Sequence, residues 1–176
     1  LEMALGQPLA AVADEEDEMT TGTWTDVDAQ DLEGTNAFRL MPTDALVDRP
    51  ATGVVVPAAG GFGLCVQYDW VHPDDGPQDG ILLAGSPAED GTLSVSWLDS
   101  WHQKPFPLVL TGTATSSGFA VRADYGQGWL WEVHLDLSDG LAMTMRNVVP
   151  AEHISADEAD AVDDRGAYDV MVLRMT

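Results

Sequence analysis

Turn signals recur at short intervals through this chain, and they constrain its fold more than any other feature of the sequence. Three of them are Asp-Gly pairs, beginning at Asp75, Asp90 and Asp139, and this pair favours the tight turns that join antiparallel strands. Between the signals lie short apolar or alternating runs, a pattern typical of an all-β chain. The runs predict about ten strands, at 35–41, 52–56, 63–71, 80–85, 92–101, 108–114, 119–125, 128–137, 141–148 and 167–175.

Connections this short make neighbours in sequence antiparallel partners, so the predicted sheet is a meander. An open meander of this size would leave two unpaired edges, and closure into a barrel removes them. We therefore predict a single barrel domain over residues 34–176. Residues 1–33 are acidic and weakly patterned, and we expect this N-terminal segment to be poorly structured. A short helix is predicted over 156–162, before the last strand, because Ser155 and Glu158 have the spacing of a capping box.

Composition narrows the range of partners. The chain has 176 residues and is 45% hydrophobic, which suits one domain with a sizeable core. It carries 30 Asp and Glu residues against 7 Lys and Arg residues, a formal net charge of −23. A field of that sign repels phosphate backbones and anionic membrane surfaces, so we expect neither nucleic acid nor a membrane as partner. The acidity itself has two readings that stay open, adaptation to a salty cytoplasm and the codon bias of a GC-rich genome.

Cysteine content and hydropathy bear on the cellular compartment. The chain contains one cysteine, Cys65, so no intramolecular disulfide can form. No apolar run is long enough for a transmembrane helix, and no secretory signal is visible at the N-terminus. We therefore expect a cytoplasmic location.

Successive side chains of a strand point to opposite faces, so parity shows which residues share a face. Trp97, Asp99 and Trp101 lie on one face of the predicted strand 92–101, and Ser100 and His102 lie on the other, outward or at the rim. The same reasoning collects aromatic, methionine and amide side chains on the inner face of the other strands. The candidate ligand-binding residues are Tyr68, Trp70, Trp97, Asp99, Trp101, His102, Trp129, Trp131, Met145 and Asn147.

An interior rich in aromatic rings with a few polar groups has the make-up of a small-molecule pocket. The sequence thus predicts a barrel that binds a small apolar or amphipathic molecule without catalysis. Two alternatives stay open: an enzyme of the isomerase or lyase type with Asp99 as acid or base, and an oligomeric module, such as a homodimer, with a filled core. An inward Asp99 needs hydrogen-bond partners, a cation or a raised pKa, and we expect Asn147 as a partner.

Several other chemistries are disfavoured. Ser100 and His102 share a face while Asp99 lies on the opposite one, so the three residues cannot form a hydrolase triad. The four histidines lack the spacing of a metal site. Haem would need an inward axial ligand, and parity places both His102 and His134 outward. We therefore expect no metal ion and no cofactor.

Four segments resemble an uncharacterised bacterial family, domain of unknown function 1579. They are G-T-N-A-F-R-L-M-P at 34–42, Y-D-W-V-H-P-D-D-G-P-Q-D-G at 68–80, W-L-D-S-W-H at 97–102 and N-V-V-P at 147–150. The resemblance covers residues 34–176 and implies a calycin-like barrel, the architecture of lipocalins and fatty-acid-binding proteins. It implies no established activity. Family members often begin with a G-x-W-x-G strand, and the segment Gly34–Phe38 lacks that tryptophan.

Overall fold

The computed structural model describes residues 24–176, which form a closed all-β barrel. Each strand pairs with its neighbours in the chain, and the first strand pairs with the last, so the ring has no open edge. The predicted fold class, an antiparallel ten-stranded meander closed into a barrel, is confirmed. The strands are β1 (Gln30–Phe38), β2 (Val47–Ala58), β3 (Gly63–His72), β4 (Gly76–Gly85), β5 (Thr92–Asp99), β6 (Leu108–Ala114), β7 (Gly118–Gly126), β8 (Trp129–Asp136), β9 (Leu141–Val148) and β10 (Ala167–Met175).

The barrel begins earlier in the chain than the sequence predicts. β1 starts at Gln30, which pairs with Val55 of β2, and the side chain of Leu32 is buried in the core. Residues 30–33, assigned from sequence to the acidic segment, therefore belong to the barrel. Residues 24–29 of that segment precede β1, and residues 1–23 lie outside the described residues.

The helix predicted over 156–162 is wrong, because residues 156–161 form turns instead. The Glu158 carboxylate turns back and accepts hydrogen bonds from the Ser155 backbone N–H at 3.0 Å and its hydroxyl at 2.7 Å. Five acidic residues stand between positions 157 and 164. Their mutual repulsion adds to the cost of starting so short a helix. Among residues 24–176 the helical elements are two 3₁₀ turns, Ala59–Gly61 and Ala151–His153.

The middle of the barrel is filled by side chains. Inward residues from every strand pack into one hydrophobic core, and many are fully buried, among them Val55, Val66, Leu82, Val95, Leu110, Val133, Met143, Met145, Met171 and Leu173. In β10 the register shifts between Asp169 and Met171. This bulge turns both Val170 and Met171 inward, which explains why simple parity does not identify the inner face of that strand.

Alternating strand directions give the barrel two different ends. The connections 39–46, 73–75, 100–107, 127–128 and 149–166 lie at one end, which we call the mouth. Trp24 closes the opposite end: its backbone N–H donates to the Gly61 carbonyl at 2.9 Å and its indole Nε1 donates to the Gly85 carbonyl at 3.0 Å. The mouth is therefore the end at which a ligand can enter the barrel.

Candidate functional site

The imidazole of His102 lies at the centre of an aromatic cluster at the mouth. Its side chain is 9% exposed. Five aromatic rings have their centroids 4.6–6.0 Å from the imidazole centroid, and together with His102 we call them the mouth cluster. They are Phe38, Trp70, Trp97, Trp101 and Trp131.

The sequence predicts His102 outward or at the rim, and the structure turns it inward because β5 ends at Asp99. Beyond that residue the chain forms a tight turn, in which Asp99 and Gln103 exchange backbone hydrogen bonds of 2.9 and 3.2 Å. The Asp99 Oδ1 atom holds the turn by accepting the backbone N–H groups of Trp101 at 2.8 Å and His102 at 2.9 Å. Strand alternation therefore does not apply past Asp99, and Trp101 and His102 both pack inside.

Asp99 is buried as predicted, but its side-chain partner is Tyr68 and not Asn147. The Tyr68 hydroxyl donates to Asp99 Oδ2 at 2.8 Å and accepts a hydrogen bond from Trp97 Nε1, also at 2.8 Å. The two side chains meet across β4 at Gly80, which pairs in register with both of them. A Cβ at position 80 would overlap the phenol of Tyr68, so this crossing requires glycine.

Burial and neighbouring charges determine the protonation states of Asp99 and Tyr68. Burial alone would raise the pKa of the Asp99 carboxyl, but the His102 imidazole and the two backbone N–H groups outweigh burial and lower it. Burial and the adjacent carboxylate raise the pKa of Tyr68 well above its ordinary value. Asp99 is therefore a carboxylate and Tyr68 a neutral phenol near neutral pH. A lowered pKa makes Asp99 a weak base and removes the proton that a general acid needs.

A cavity of about 180 Å³ opens beside His102 at the mouth. Trp97 and Trp131 form one side of it, stacked with their planes 4° apart and their centroids 5.2 Å apart. Both ring nitrogens of His102 and the Nε1 of Trp131 are buried and make no hydrogen bond among the described residues. The His102 Nδ1 faces Asp99 Oδ1 at 3.6 Å, whereas Nε2 and the Trp131 Nε1 have no polar partner within residues 24–176. Such groups are costly, at about 1–3 kcal/mol each, and they call for a polar partner. The cavity is lined by Trp97, His102, Gln103, Leu108, Tyr125 and Trp131.

Asn147 forms its side-chain hydrogen bonds with two tyrosines beside this cavity and not with Asp99. Its Oδ1 accepts a hydrogen bond from the Tyr125 hydroxyl at 2.7 Å, and its Nδ2 donates to the Tyr168 hydroxyl at 3.2 Å. The Tyr168 hydroxyl in turn donates to the Leu40 carbonyl at 2.9 Å. This second chain ties β7, β9 and β10 to the connection 39–46 and fixes Tyr125 on the cavity wall.

Of the ten predicted residues, Trp97, His102 and Trp131 line the cavity and the other seven do not. Trp129 is half-buried and stacks on His153 at the rim, with centroids 5.7 Å apart. Met145 is fully buried in the core, paired with Val133 of β8. Neither side chain lines the space beside His102, although Trp129 also contacts the cavity residue Tyr125 at 6.4 Å between centroids.

Sequence reasoning missed five residues of this region: Gln103, Leu108 and Tyr125 of the cavity, Phe38 of the mouth cluster, and His72 beside it. Leu108 and Tyr125 line the cavity, and each shares the inward parity of its own strand, so parity extended to the strand ends would have found both. His72 is buried and stacks on Trp101 with centroids 4.5 Å apart. Its Nδ1 accepts the backbone N–H groups of Asp74 and Asp75 at 3.2 and 3.0 Å. His72 therefore supports the mouth cluster from the β3–β4 turn.

A larger groove of about 440 Å³ lies on the outer wall of β3–β5, lined in part by Asp69, Asp79 and Lys104. These three side chains are exposed to solvent. The buried Tyr68 and Asp99, which also line the groove, are already hydrogen-bonded to each other. The mouth cavity differs because the ring nitrogens of His102 and Trp131 in its wall are buried without a hydrogen-bond partner among the described residues, so a bound molecule would gain more from meeting them. We therefore take the mouth cavity as the candidate site.

Comparison with known proteins finds no relative: no protein-family model, curated protein or solved structure matches the chain. The resemblance to domain of unknown function 1579, and with it the calycin assignment, stays a prediction. Among residues 24–176 no group of three or more His, Cys, Asp or Glu side chains could hold a metal ion. Over the same residues no helix has the length and hydropathy needed to cross a membrane. Fold and site together define a closed ten-stranded barrel with a small aromatic cavity at its mouth.

Proposed function

We propose that the protein binds a small, mainly apolar molecule in the mouth cavity and performs no reaction on it. The observation that carries this proposal is the cavity of about 180 Å³ whose wall includes the indoles of Trp97 and Trp131 and the imidazole of His102. A cavity of about 150 Å³ with apolar walls is known to bind benzene. Drug-sized ligands need about 300 Å³ or more, so the ligand of this barrel is of the size of one aromatic ring.

The binding place differs from the one inferred from sequence. A ligand deep in the barrel has no room, because side chains such as Leu82, Val133 and Met143 fill the centre. The net charge of −23 disfavours an anion. A neutral ring compound at the mouth is the ligand that fits both observations.

The enzyme alternative has less support. An acid or base at Asp99 would need a free oxygen and a pKa near the working pH. The Asp99 oxygens already accept hydrogen bonds from Tyr68 and from two backbone N–H groups. Its pKa is lowered despite burial. These features suit a carboxylate that positions its neighbours.

The oligomeric alternative rests on the outer wall of β4–β6. Leu83, Leu98 and Val109 point outward there, 49%, 36% and 58% exposed, and Leu83 and Val109 flank Ser96 in register. Exposed apolar side chains that adjoin one another can form an interface between copies. Sedimentation equilibrium tests this second candidate: a mass near 18.8 kDa shows a monomer and a mass near twice that value shows a homodimer.

The binding proposal is tested by titrating the full chain with p-xylene and following tryptophan fluorescence. Leu108→Phe places extra volume in the cavity, so we expect it to weaken binding at least tenfold. Val109→Phe makes a similar change at the next residue, which points outward, and should alter affinity less than twofold. Absence of p-xylene binding by the wild-type chain, or equal binding by the Leu108→Phe variant, would contradict the proposal.

A further inference from the structure

We propose that the mouth cavity is selective for small phenols and that His102 and Trp131 recognise the hydroxyl group. This inference rests on the proposed function and adds the chemical class of the ligand. The rings of His102 and Trp131 line the cavity, and their nitrogens are buried without a hydrogen bond to any group within residues 24–176.

The two rings need different hydrogen-bond partners from a ligand. The indole Nε1–H of Trp131 is a donor only and needs an acceptor. A neutral imidazole has one donor and one acceptor nitrogen. The Nδ1 of His102 lies 3.6 Å from the Asp99 carboxylate, which favours the proton on Nδ1 and leaves Nε2 as the acceptor.

One hydroxyl group can satisfy both rings. Its oxygen accepts from the Trp131 N–H while its hydrogen is donated to His102 Nε2. The ring centroids of His102 and Trp131 lie 5.2 Å apart, so the two rings are neighbours in the cavity wall and one small group can contact both. A carboxylate cannot donate, and an ammonium group cannot accept, so neither satisfies both partners.

The enclosed nitrogens can reach a ligand through a small ring movement. The cavity lies directly beside the His102 imidazole and the Trp131 indole, so a shift of either ring toward it brings a nitrogen to its surface. Trp97 and Leu108 form an apolar part of the cavity wall, against which an aromatic ring can pack. A phenol presents this combination of a flat apolar body and one hydroxyl.

The hydrogen-bonded chain behind His102 supports this selectivity. Trp97 donates to Tyr68, and Tyr68 donates to Asp99, so the carboxylate is held in place against the imidazole. Tyr68 and Asp99 are therefore positioning residues, which set the proton on Nδ1 but do not touch the ligand. Their arrangement explains why a buried carboxylate stands next to an otherwise aromatic cavity.

The test compares p-cresol with p-xylene, which differ by a hydroxyl in place of a methyl group. Isothermal titration of the full chain gives the ratio of their association constants, cresol over xylene. We expect His102→Phe, which keeps an aromatic ring, to lower this ratio at least tenfold by weakening cresol alone. His153→Phe, at the histidine that stacks on Trp129 outside the cavity, should leave the ratio unchanged.

Trp131→Phe provides a second route should His102→Phe fail to fold, and it should also lower the ratio about tenfold. An unchanged ratio in a folded variant that still binds p-xylene would overturn the phenol inference and leave the proposed function standing. Failure of both compounds to bind the wild-type chain would overturn the two together.

Discussion

At the scale of single residues, Gly80 decides whether two buried polar side chains can meet. The phenol of Tyr68 passes over this position to reach Asp99, in the space that a Cβ would take. We expect Gly80→Ala to destabilise the protein by about 1–3 kcal/mol, the usual cost of over-packing a core. Urea unfolding measures the change.

Gly85 provides the control for that substitution because it lies on the same strand with open space around it. The nearest atom to a Cβ at position 85 is 3.9 Å away, which is ordinary contact. Gly85→Ala should therefore change the free energy of unfolding by less than about 0.5 kcal/mol, as exposed substitutions usually do. Equal losses in the two variants would show that the Tyr68–Asp99 contact is not what position 80 protects.

Asp99 makes the stability of the barrel depend on pH in the acid range. Its pKa is lower in the folded protein than its ordinary value of about 3.9, so the unfolded chain binds its proton first as pH falls. The stabilisation is present above about pH 4 and is lost as pH falls through the folded value. In Asp99→Asn this loss below about pH 4 should shrink.

Urea unfolding at several acid pH values measures that dependence. Asp48→Asn serves as the control, because Asp48 is exposed on β2. It should keep the wild-type slope of unfolding free energy against pH. A wild-type slope in Asp99→Asn as well would mean that the Asp99 carboxylate contributes nothing in this range.

At the scale of elements, an ion-pair network around the buried carboxylate of Glu132 holds the connection 149–166 to the barrel. Glu132 of β8 is 4% exposed, and its oxygens accept hydrogen bonds from the Arg165 guanidinium at 3.0 and 3.3 Å. Arg146 of β9 extends the network to Asp163 at 3.0 Å and Asp169 at 2.8 Å. The network joins β8, β9 and β10 to the acidic turns that precede the last strand.

Glu132→Gln should loosen this connection, because the neutral amide removes the negative charge that pairs with Arg165 and Arg146. We expect a loss of about 1.5–3 kcal/mol, the range for hydrogen bonds to charged groups. Trypsin should also cleave after Arg165 faster than in the wild type. Glu33→Gln, at an exposed position of β1, should change neither quantity, and unchanged cleavage in Glu132→Gln would argue against the anchoring role.

The elements also show where sequence reasoning reaches its limit. Alternation and turn pairs identify all ten strands because they are local signals. The inward Trp97 and Asp99 follow from the same parity. The inward turn of His102 does not, because it depends on backbone N–H groups that Asp99 captures beyond the end of β5. The burial of Glu132 has the same kind of cause, a distant Arg165 that covers an outward position.

At the scale of the whole molecule, the two ends of the barrel have different roles. Trp24 seals one end through hydrogen bonds to backbone carbonyls, and the mouth cluster surrounds His102 at the other. The centre between them is a packed core. The proposed binding is therefore confined to one end, and the net charge of −23 favours a neutral ligand over an anion there.

The central claim, a ligand site at the mouth, is tested most directly by nuclear magnetic resonance of the indole N–H groups. The six tryptophans place such probes at both ends of the barrel. On titration with p-cresol we predict that the Trp131 signal moves most, that Trp97 follows, and that Trp24 at the sealed end stays in place. A Trp24 shift as large as that of Trp131, or no shift in any indole signal, would contradict a binding site at the mouth.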